Sequence, residues 1–470
     1  MVRSLNLTRS RRSPAAWKPF LALVIASGAL LWHLLACTES PLAFSPDSRH
    51  LAFTAVQPYD ADHLATAGQA TYRLMILTDA KDLRILETAT DYMISAPAFS
   101  PDGKTLAYLR LPLLSEKLKE QLKTFSQQRQ DALRQLRSEP NLPAAHAPAL
   151  SLASADLALP SLDSITQTVA DLLAAAPLPL TLVLRDPASG NLRQEIALEL
   201  PFLSASSDNA QIDLLFAYLL TRPQFNPDDP ASVFFSLGPL VCSVNTQTPR
   251  LQLWGLTLAH NLATRPALLS PDGQTLAFLC GENADLLALA STRDRRYIWL
   301  PWPLPQKPSL SGLAWLNDRT LAAFLPPAAE PNEPARLALL TADGRLEKLL
   351  DLPLPIHKTD DADTGELALS PASRRLVVAF SGHAYFLTAD GNLLADLTRE
   401  NEIFAQPAFT PDGRLVAFKH FTQQPDHDDK ISADAIVFFT PDGRELSRTP
   451  IPQEKGSGTF FSEKEEIKGK

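Results

Sequence analysis

The sequence predicts an all-β fold: a β-propeller of four-stranded antiparallel blades, seven by preference with six or eight left open, carrying a helical insertion in blade 2. Three observations predict it. First, a phrase of apolar residue, Ser or Thr, Pro, Asp and Gly recurs ahead of an apolar run. It reads Phe99-Ser100-Pro101-Asp102-Gly103, Leu269-Ser270-Pro271-Asp272-Gly273 and Phe409-Thr410-Pro411-Asp412-Gly413, while Phe44-Ser45-Pro46-Asp47 lacks only the Gly. Second, most copies are followed by another turn, at Asp343-Gly344, Asp390-Gly391 or Asp442-Gly443. Third, the copies start at 44, 99, 225, 269, 315, 369 and 409, so every gap but one falls between 40 and 55 residues.

The local chemistry explains each element. Pro fixes φ at the first central turn position, Asp bonds nearby backbone, and Gly takes positive φ without steric cost. Apolar, β-branched or aromatic residues on both sides make the phrase a hairpin, and two hairpins make four strands. One such sheet leaves both faces bare, so copies must stack, and radial stacking closes a ring. The one long gap, 126 residues, holds a blade plus an insertion bounded at 111–180. There Leu114, Leu118, Leu122, Phe125, Leu133 and Leu136 recur at helical spacing, and Ser161 caps a second stripe of Leu162, Ile165, Val169 and Leu172 that Pro177 stops. A third helix is expected over 211–220.

These phrases resemble the WD-like, TolB-like propeller repeats, a type found also in the propellers of prolyl oligopeptidases. The resemblance covers nearly all of residues 41–450 and implies the propeller fold. TolB-like proteins further imply protein–protein contacts in the cell envelope, although this repeat serves many unrelated roles. Two copies depart from the pattern, Trp315-Leu316-Asn317-Asp318 and Leu369-Ser370-Pro371-Ala372, and these leave the blade count open.

The first 37 residues read as a targeting segment. Arg3, Arg9, Arg11, Arg12 and Lys18 precede an uncharged apolar run from Phe20 to Ala36. The run ends Leu34-Leu35-Ala36-Cys37, which resembles the bacterial lipoprotein box; in that family the Cys is diacylated and becomes the mature N-terminus. Cys37 is therefore the expected lipidation site, and the propeller an extracytoplasmic, periplasmic or envelope-facing domain held to the membrane. An uncleaved signal anchor is the other reading, because the run is just long enough to span. Cys242 and Cys280 fall in neighbouring blades and read either as a disulfide or as two buried thiols. The formal net charge of −9 argues against nucleic acid. Residues 451–470 read as a charged, disordered tail.

In a blade of strands A to D, the A–B and C–D turns lie at one end of the ring. The B–C loops and the D–A links between blades lie at the other. The expected long segments all fall in the second group, which makes that end the expected binding face. Tests for catalytic chemistry are negative in the sequence. It holds no Gly-x-Ser-x-Gly elbow and no His-Glu-x-x-His spacing, and no residues remain to build a hydrolase domain. Two acidic clusters are weak metal candidates: Asp361, Asp363 and Glu366 in the link entering blade 6, and His420 and His427 in the blade 7 B–C loop. Solvated loop charge is the plainer reading of both. The turn aspartates Asp47, Asp102, Asp272 and Asp412 are read as turn formers. No cofactor is expected. The sequence thus points to a lipid-anchored protein-binding or assembly module with an envelope protein partner. The alternative is a propeller enzyme or carbohydrate-binding protein with its site at the central channel.

Overall fold

The computed structural model describes residues 41–57, 70–113, 176–202, 221–237, 240–256, 267–280, 286–309, 312–327, 334–354, 365–370, 372–380, 382–399, 401–422 and 433–452, with a few positions between 115 and 124. The targeting segment with Cys37, the helices expected near 161 and 211, Asp361, Asp363, His427 and the tail from 453 lie outside them. Among the described residues, no helix is long and apolar enough to cross a membrane.

Seven antiparallel sheets form seven blades, each cut from one continuous stretch of chain. Blade 1 comprises β1 (Ala43–Phe44), β2 (His50–Gln57), β3 (Thr71–Thr78) and β4 (Asp82–Ala89). In blade 2 the inner strand is broken into β5 (Tyr92–Ile94) and β6 (Ala98–Phe99), both paired with β7 (Leu106–Pro112), followed by β8 (Ala176–Arg185) and β9 (Leu192–Phe202). Blade 3 holds β10 (Gln224–Phe225), β11 (Ser232–Leu237), β12 (Leu240–Asn245) and β13 (Arg250–Leu256). Blade 4 holds β14 (Leu268–Leu269), β15 (Thr275–Cys280), β16 (Leu286–Ser291) and β17 (Tyr297–Pro301). Blade 5 runs through β18 (Leu313–Asn317), β19 (Thr320–Leu325), β20 (Arg336–Thr341) and β21 (Leu346–Asp351). Blade 6 runs through β22 (Glu366–Ser370), β23 (Arg375–Phe380), β24 (His383–Thr388) and β25 (Leu393–Asp396). Blade 7 is β26 (Glu402–Phe409), β27 (Val416–Thr422), β28 (Ala435–Phe439) and β29 (Glu445–Pro450). All seven copies anticipated from the repeat fall on inner strands, including the two that lack Pro-Asp-Gly. Inner strands of successive blades touch around the axis.

The turn phrase closes on itself through side chains. Ser45, Ser100, Ser270 and Thr410 each donate their hydroxyl to the Asp two residues on, at 2.6 Å in every case. The same oxygens accept the amides of His50, Thr105, Thr275 and Leu415 at 2.9 to 3.1 Å. Gly103, Gly273 and Gly413 sit at φ of 70°, 73° and 68°, and Ser48 takes the same conformation at 62° where the phrase lacks glycine. A Cβ on Gly413 would lie 2.5 Å from Ser370 Oγ and 3.0 Å from the Ser373 amide. Gly413→Ala should therefore cost about 2 kcal/mol in urea unfolding, whereas Ser48→Gly should gain a few tenths to about 1 kcal/mol.

Blades pack face to face through apolar side chains. One cluster joins blades 1 to 3, and others fill the 3/4, 4/5, 5/6 and 6/7 junctions. At the 6/7 junction Phe386, Phe404, Phe418 and Phe439 form an aromatic nest with ring centroids 5.5 to 5.9 Å apart. Among the described residues, the ring closes without exchanging a strand between the chain's two ends. Blade 1 meets blade 7 through Leu42, Phe53 and Met75 against Ile403, Phe421, Ile436 and Ile451. Lys419 Nζ donates to the Thr54 carbonyl at 2.8 Å, and Thr449 Oγ1 to the Ala80 carbonyl at 3.0 Å. Arg73 and Gln57 reach the Pro452 carbonyl. Ile451, read from sequence as tail, is thus part of the closing core.

Two expectations about the blade 2 insertion change. The strands reach inward to Pro112 and back to Ala176, so the interval is shorter than 111–180. Pro177, expected to stop a helix, lies in β8 opposite Pro201. The pairing explains how a strand tolerates Pro177 and Pro179. β7 pairs β8 only from Thr181 onward, so both prolines direct their missing N–H toward an unpaired side. The first expected helix does begin where the spacing placed it. Ser115 Oγ accepts the Leu118 amide at 3.2 Å, and residues 117, 118, 120, 121 and 124 are helical. Leu118 packs on the core of blades 1 to 3.

Candidate docking faces and the axial polar cluster

The topology sorts the connections as the repeat implied. The short A–B and C–D turns share one end of the ring, and the connections between β2 and β3, β7 and β8, β9 and β10, and β27 and β28 leave from the other. Near this loop-rich end, on the axis, polar side chains from several blades converge. Glu366 opens β22 and is 4% exposed. Its Oε2 accepts the Gln406 amide at 2.5 Å, and its Oε1 accepts from Gln406 Nε2. Gln406 lies in the left-handed region at φ 54°, at the irregularity of β26 where pairing skips between Ala405 and Ala408. Arg222, just ahead of β10, and Lys419 supply the positive field around the carboxylate. Burial lifts Glu366 to about 7, and Arg222, Gln406 and Lys419 keep it from rising further. Burial likewise lowers Arg222, with Glu366 opposing that shift.

Glu366 therefore makes stability depend on pH with a defined sign. Its folded value lies above the ordinary 4.5, so its contribution is complete below about pH 4.5 and is lost as pH rises through about 7. Glu366→Gln cannot ionise. From pH 5 to pH 8 the variant should gain on the parent by on the order of 3 kcal/mol in urea unfolding. A gap that does not change with pH would contradict this.

His420 was expected in a loop, yet it lies within β27 and is 1% exposed. Its Nδ1 is 2.5 Å from Asp434 Oδ1, and its Nε2 is 3.2 Å from Arg448 Nη1 and 3.3 Å from Glu402 Oε2. Asp434 thus engages Nδ1, and Arg448 and Glu402 crowd Nε2. Neither nitrogen is left for a metal. Thr422 also donates to Asp434, and the hydrogen bonds from His420 and Thr422 outweigh burial and hold that carboxyl below its usual range. Both metal candidates on described residues, Glu366 and His420, are thus buried and hydrogen-bonded rather than solvated. Among the described residues no group of three or more His, Cys, Asp or Glu is placed to hold a metal ion. Cys242 is buried and not disulfide-bonded, and burial pushes its thiol up to about 12.

A second ion cluster clasps blade 1 to blade 2. Glu87 of β4 accepts Arg110 Nε at 2.7 Å and Nη2 at 2.9 Å, Arg185 Nη2 at 2.5 Å, Tyr92 Oη at 2.9 Å, and the Tyr108 hydroxyl. Burial alone would raise this carboxyl, but Arg110, Tyr108 and Tyr92 outweigh it and hold it at about 2.

The tight-turn end carries two inter-blade cavities. One, of 440 Å³, lies between blades 2 and 3, lined by Ser100, Asp102, Leu184, Phe225 and Thr246. The other, of 320 Å³, lies between blades 3 and 4 against Asn226, Gln252, Trp254 and Arg295. Arg295 stacks 5.4 Å from the Trp254 ring, and Arg293 pairs with Asp228 at 3.1 Å. Ser100 and Asp102 come from a turn phrase, whereas Leu184, Gln252 and Trp254 lie on strands. The sequence marked Asp102 as a turn former and gave no sign that neighbouring blades would leave space between them.

Architecture defines the class: a seven-bladed β-propeller of four-stranded antiparallel blades. Solved structures similar to it include a chain of the Mitotic Checkpoint Complex (11% identity, 84% of this chain and 87% of that one, TM-score 0.45). Similar too are the dihydro-heme d1 dehydrogenase NirN in complex with DHE (12%, 88% and 66%, 0.44) and TolB from Acinetobacter baumannii (13%, 87% and 65%, 0.39). The chain spans just under two thirds of the length of those last two. No protein-family model and no curated protein matches the chain. At such identities the likeness is one of fold, and function has to be argued from this chain's own residues.

Proposed function

We propose that this protein is a lipid-anchored, extracytoplasmic β-propeller that serves as a protein-docking or assembly module in the cell envelope, tethered through Cys37. The observation that carries the docking reading is the one-sided distribution of long connections on a ring whose blades are clamped by apolar cores and ion clusters. Such a scaffold holds a broad surface rigid, and recognition residues concentrate on its loops. Docking here is shape complementarity without bond chemistry. In membranes bearing the full chain, cross-linking should capture one envelope protein in stoichiometric amount. Capture should be lost when residues 114–175 are replaced by a short Gly/Ser linker, with the β-sheet circular dichroism and unfolding midpoint retained. Capture that survives the replacement would remove the insertion from the docking surface. The lipid reading is tested separately: acyl label should enter the chain and vanish in Cys37→Ser.

One observation favours a second reading, a site at the central channel. Glu366, a buried carboxylate poised near neutrality between cations on the axis, has the character of groups that bind or transfer protons. Titration with soluble glycans, changed by Glu366→Gln, would select that reading.

A further inference from the structure

We infer that the cavity between blades 3 and 4, at the tight-turn end, is a binding site for a carboxylate side chain of an acidic peptide. The inference stands on this cavity and is independent of the anchor and of the loop-rich end. Its 320 Å³ is at the small end for ligand clefts, room for a side chain rather than a domain. Trp254 and Phe234 give it an apolar wall, and Trp254 Nε1 is tied to Ser243 Oγ at 2.8 Å. The polar groups around that wall are engaged on one side only. Asn226 Oδ1 accepts the Asp228 amide at 3.0 Å, and Asn245 Oδ1 accepts the Gln247 and Thr248 amides at 3.0 and 2.9 Å. Backbone amides thus fix how each side-chain amide is turned, and what each has left is its NH2 group. The Gln252 side chain makes no hydrogen bond among the described residues.

The acids of the rim are answered within the chain. Asp228 pairs with Arg293 at 3.1 Å, and Asp229 accepts the Ser232 hydroxyl at 2.5 Å. Arg295 is the guanidinium in the lining with no carboxylate among the described residues, stacked 5.4 Å from the Trp254 ring. Donors around one uncompensated cation select an anion that accepts several hydrogen bonds. A single positive charge matches a carboxylate, whereas a phosphate carries nearly twice that charge. The neighbouring 440 Å³ cavity explains why the carboxylate belongs to a peptide. It is lined by Leu184, Phe225 and Pro230, and Pro230 directly follows Asp229 of the first cavity. An extended chain crossing the blade 3 turn can seat an acidic side chain in one and an apolar side chain in the other.

The fold gives up stability to place Arg295 here. Its turn matches that of blade 2 bond for bond, with Arg295 donating to the Ser291 carbonyl at 3.1 Å where Gly190 donates to Asp186 at 2.8 Å. Gly190 lies at φ 76° and Arg295 at 58°. Left-handed backbone suits glycine, and a residue with a Cβ is strained there.

The test measures fluorescence anisotropy of a labelled six-residue peptide alternating Glu and Leu, acetylated and amidated, with the full-length protein. It should bind at least tenfold more tightly than its Gln and Leu counterpart. Arg295→Gly should weaken it at least tenfold, while the unfolding midpoint holds or rises because glycine suits this backbone. Arg296→Ala, on the same turn but paired with Asp294 at 3.1 Å, should bind as the parent does. Binding that survives Arg295→Gly, or a parent that binds neither peptide, overturns the site. Equal weakening in both variants makes the attraction diffuse and overturns it too. A midpoint that falls sharply in Arg295→Gly makes Arg295 a brace for Trp254 and overturns its binding role. Trigalacturonate that displaces the label at lower concentration than unlabelled peptide overturns the peptide as occupant in favour of an acidic glycan.

Discussion

Glu87→Ala should destabilise the fold by about 3 kcal/mol, because it removes the acceptor shared by two guanidinium groups largely out of water and leaves Arg110 only Glu195, and Arg185 only the Gly190 carbonyl and the Tyr108 hydroxyl. Arg110 and Arg185 are 22% and 13% exposed and both point at this carboxylate, with the Tyr108 hydroxyl beside them. Removing the acceptor leaves their desolvation in place and takes away the larger part of its compensation. The effect has a pH signature. The folded value near 2 lies below the ordinary 4.5, so the contribution is present above about pH 4.5 and lost as pH falls through 2. Urea midpoints of parent and variant should therefore differ clearly at pH 7 and draw together toward pH 2. The exposed Arg49–Asp79 pair on the same blade is the control, and Arg49→Ala should leave the midpoint unmoved. If the two variants behave alike, the clasp is not holding the blades.

Phe418→Ala should cost about 4 kcal/mol. Phe418 is fully buried at the 6/7 junction, with its ring 5.9 Å from Phe386, 5.9 Å from Phe404 and 5.5 Å from Phe439. Truncation removes one member of a nest in which Phe386 and Phe404 are each already held against Phe439, so little can move to fill the space. Phe418→Leu keeps much of the volume and should recover more than half of the loss. Because no charge is involved, this penalty should be the same at pH 5 and pH 8, unlike that of Glu366→Gln, and the same again toward pH 3, where that of Glu87→Ala shrinks. A penalty below about 1 kcal/mol would mean that the junction repacks freely.

The repeat was legible because its cause is local. A Ser or Thr hydroxyl, an Asp two residues later and a Gly at positive φ close the turn within six residues, so each inner strand could be placed without knowing its neighbours. Even Trp315 and Leu369, without the full phrase, fell on inner strands because the period carried them. The axial cluster was illegible for the opposite reason. Glu366, Gln406, Lys419 and Arg222 come from blades 3, 6 and 7, and only the closing of the ring brings them together. Glu366 follows an Asp-rich link and reads as one more loop acid, and nothing in the string shows that it is the first residue of a five-residue strand. His420 misled similarly: the Asp and His residues after Thr422 pull the eye toward a loop, while its strand parity directs it into the junction with blade 6. Pro177 is a third case, since only the end of β7 reveals that β8 has an unpaired side there.

Among the described residues, six of the seven junctions between blades are spanned by covalent chain, and the seventh is held by packing and by side chains reaching for backbone carbonyls. The circle therefore has a built-in place to come apart. A pull on the two chain ends would part blade 7 from blade 1 before loading any other contact, and thermal opening would start there for the same reason. Under the tether proposed at Cys37, tension on the chain would fall first on this junction.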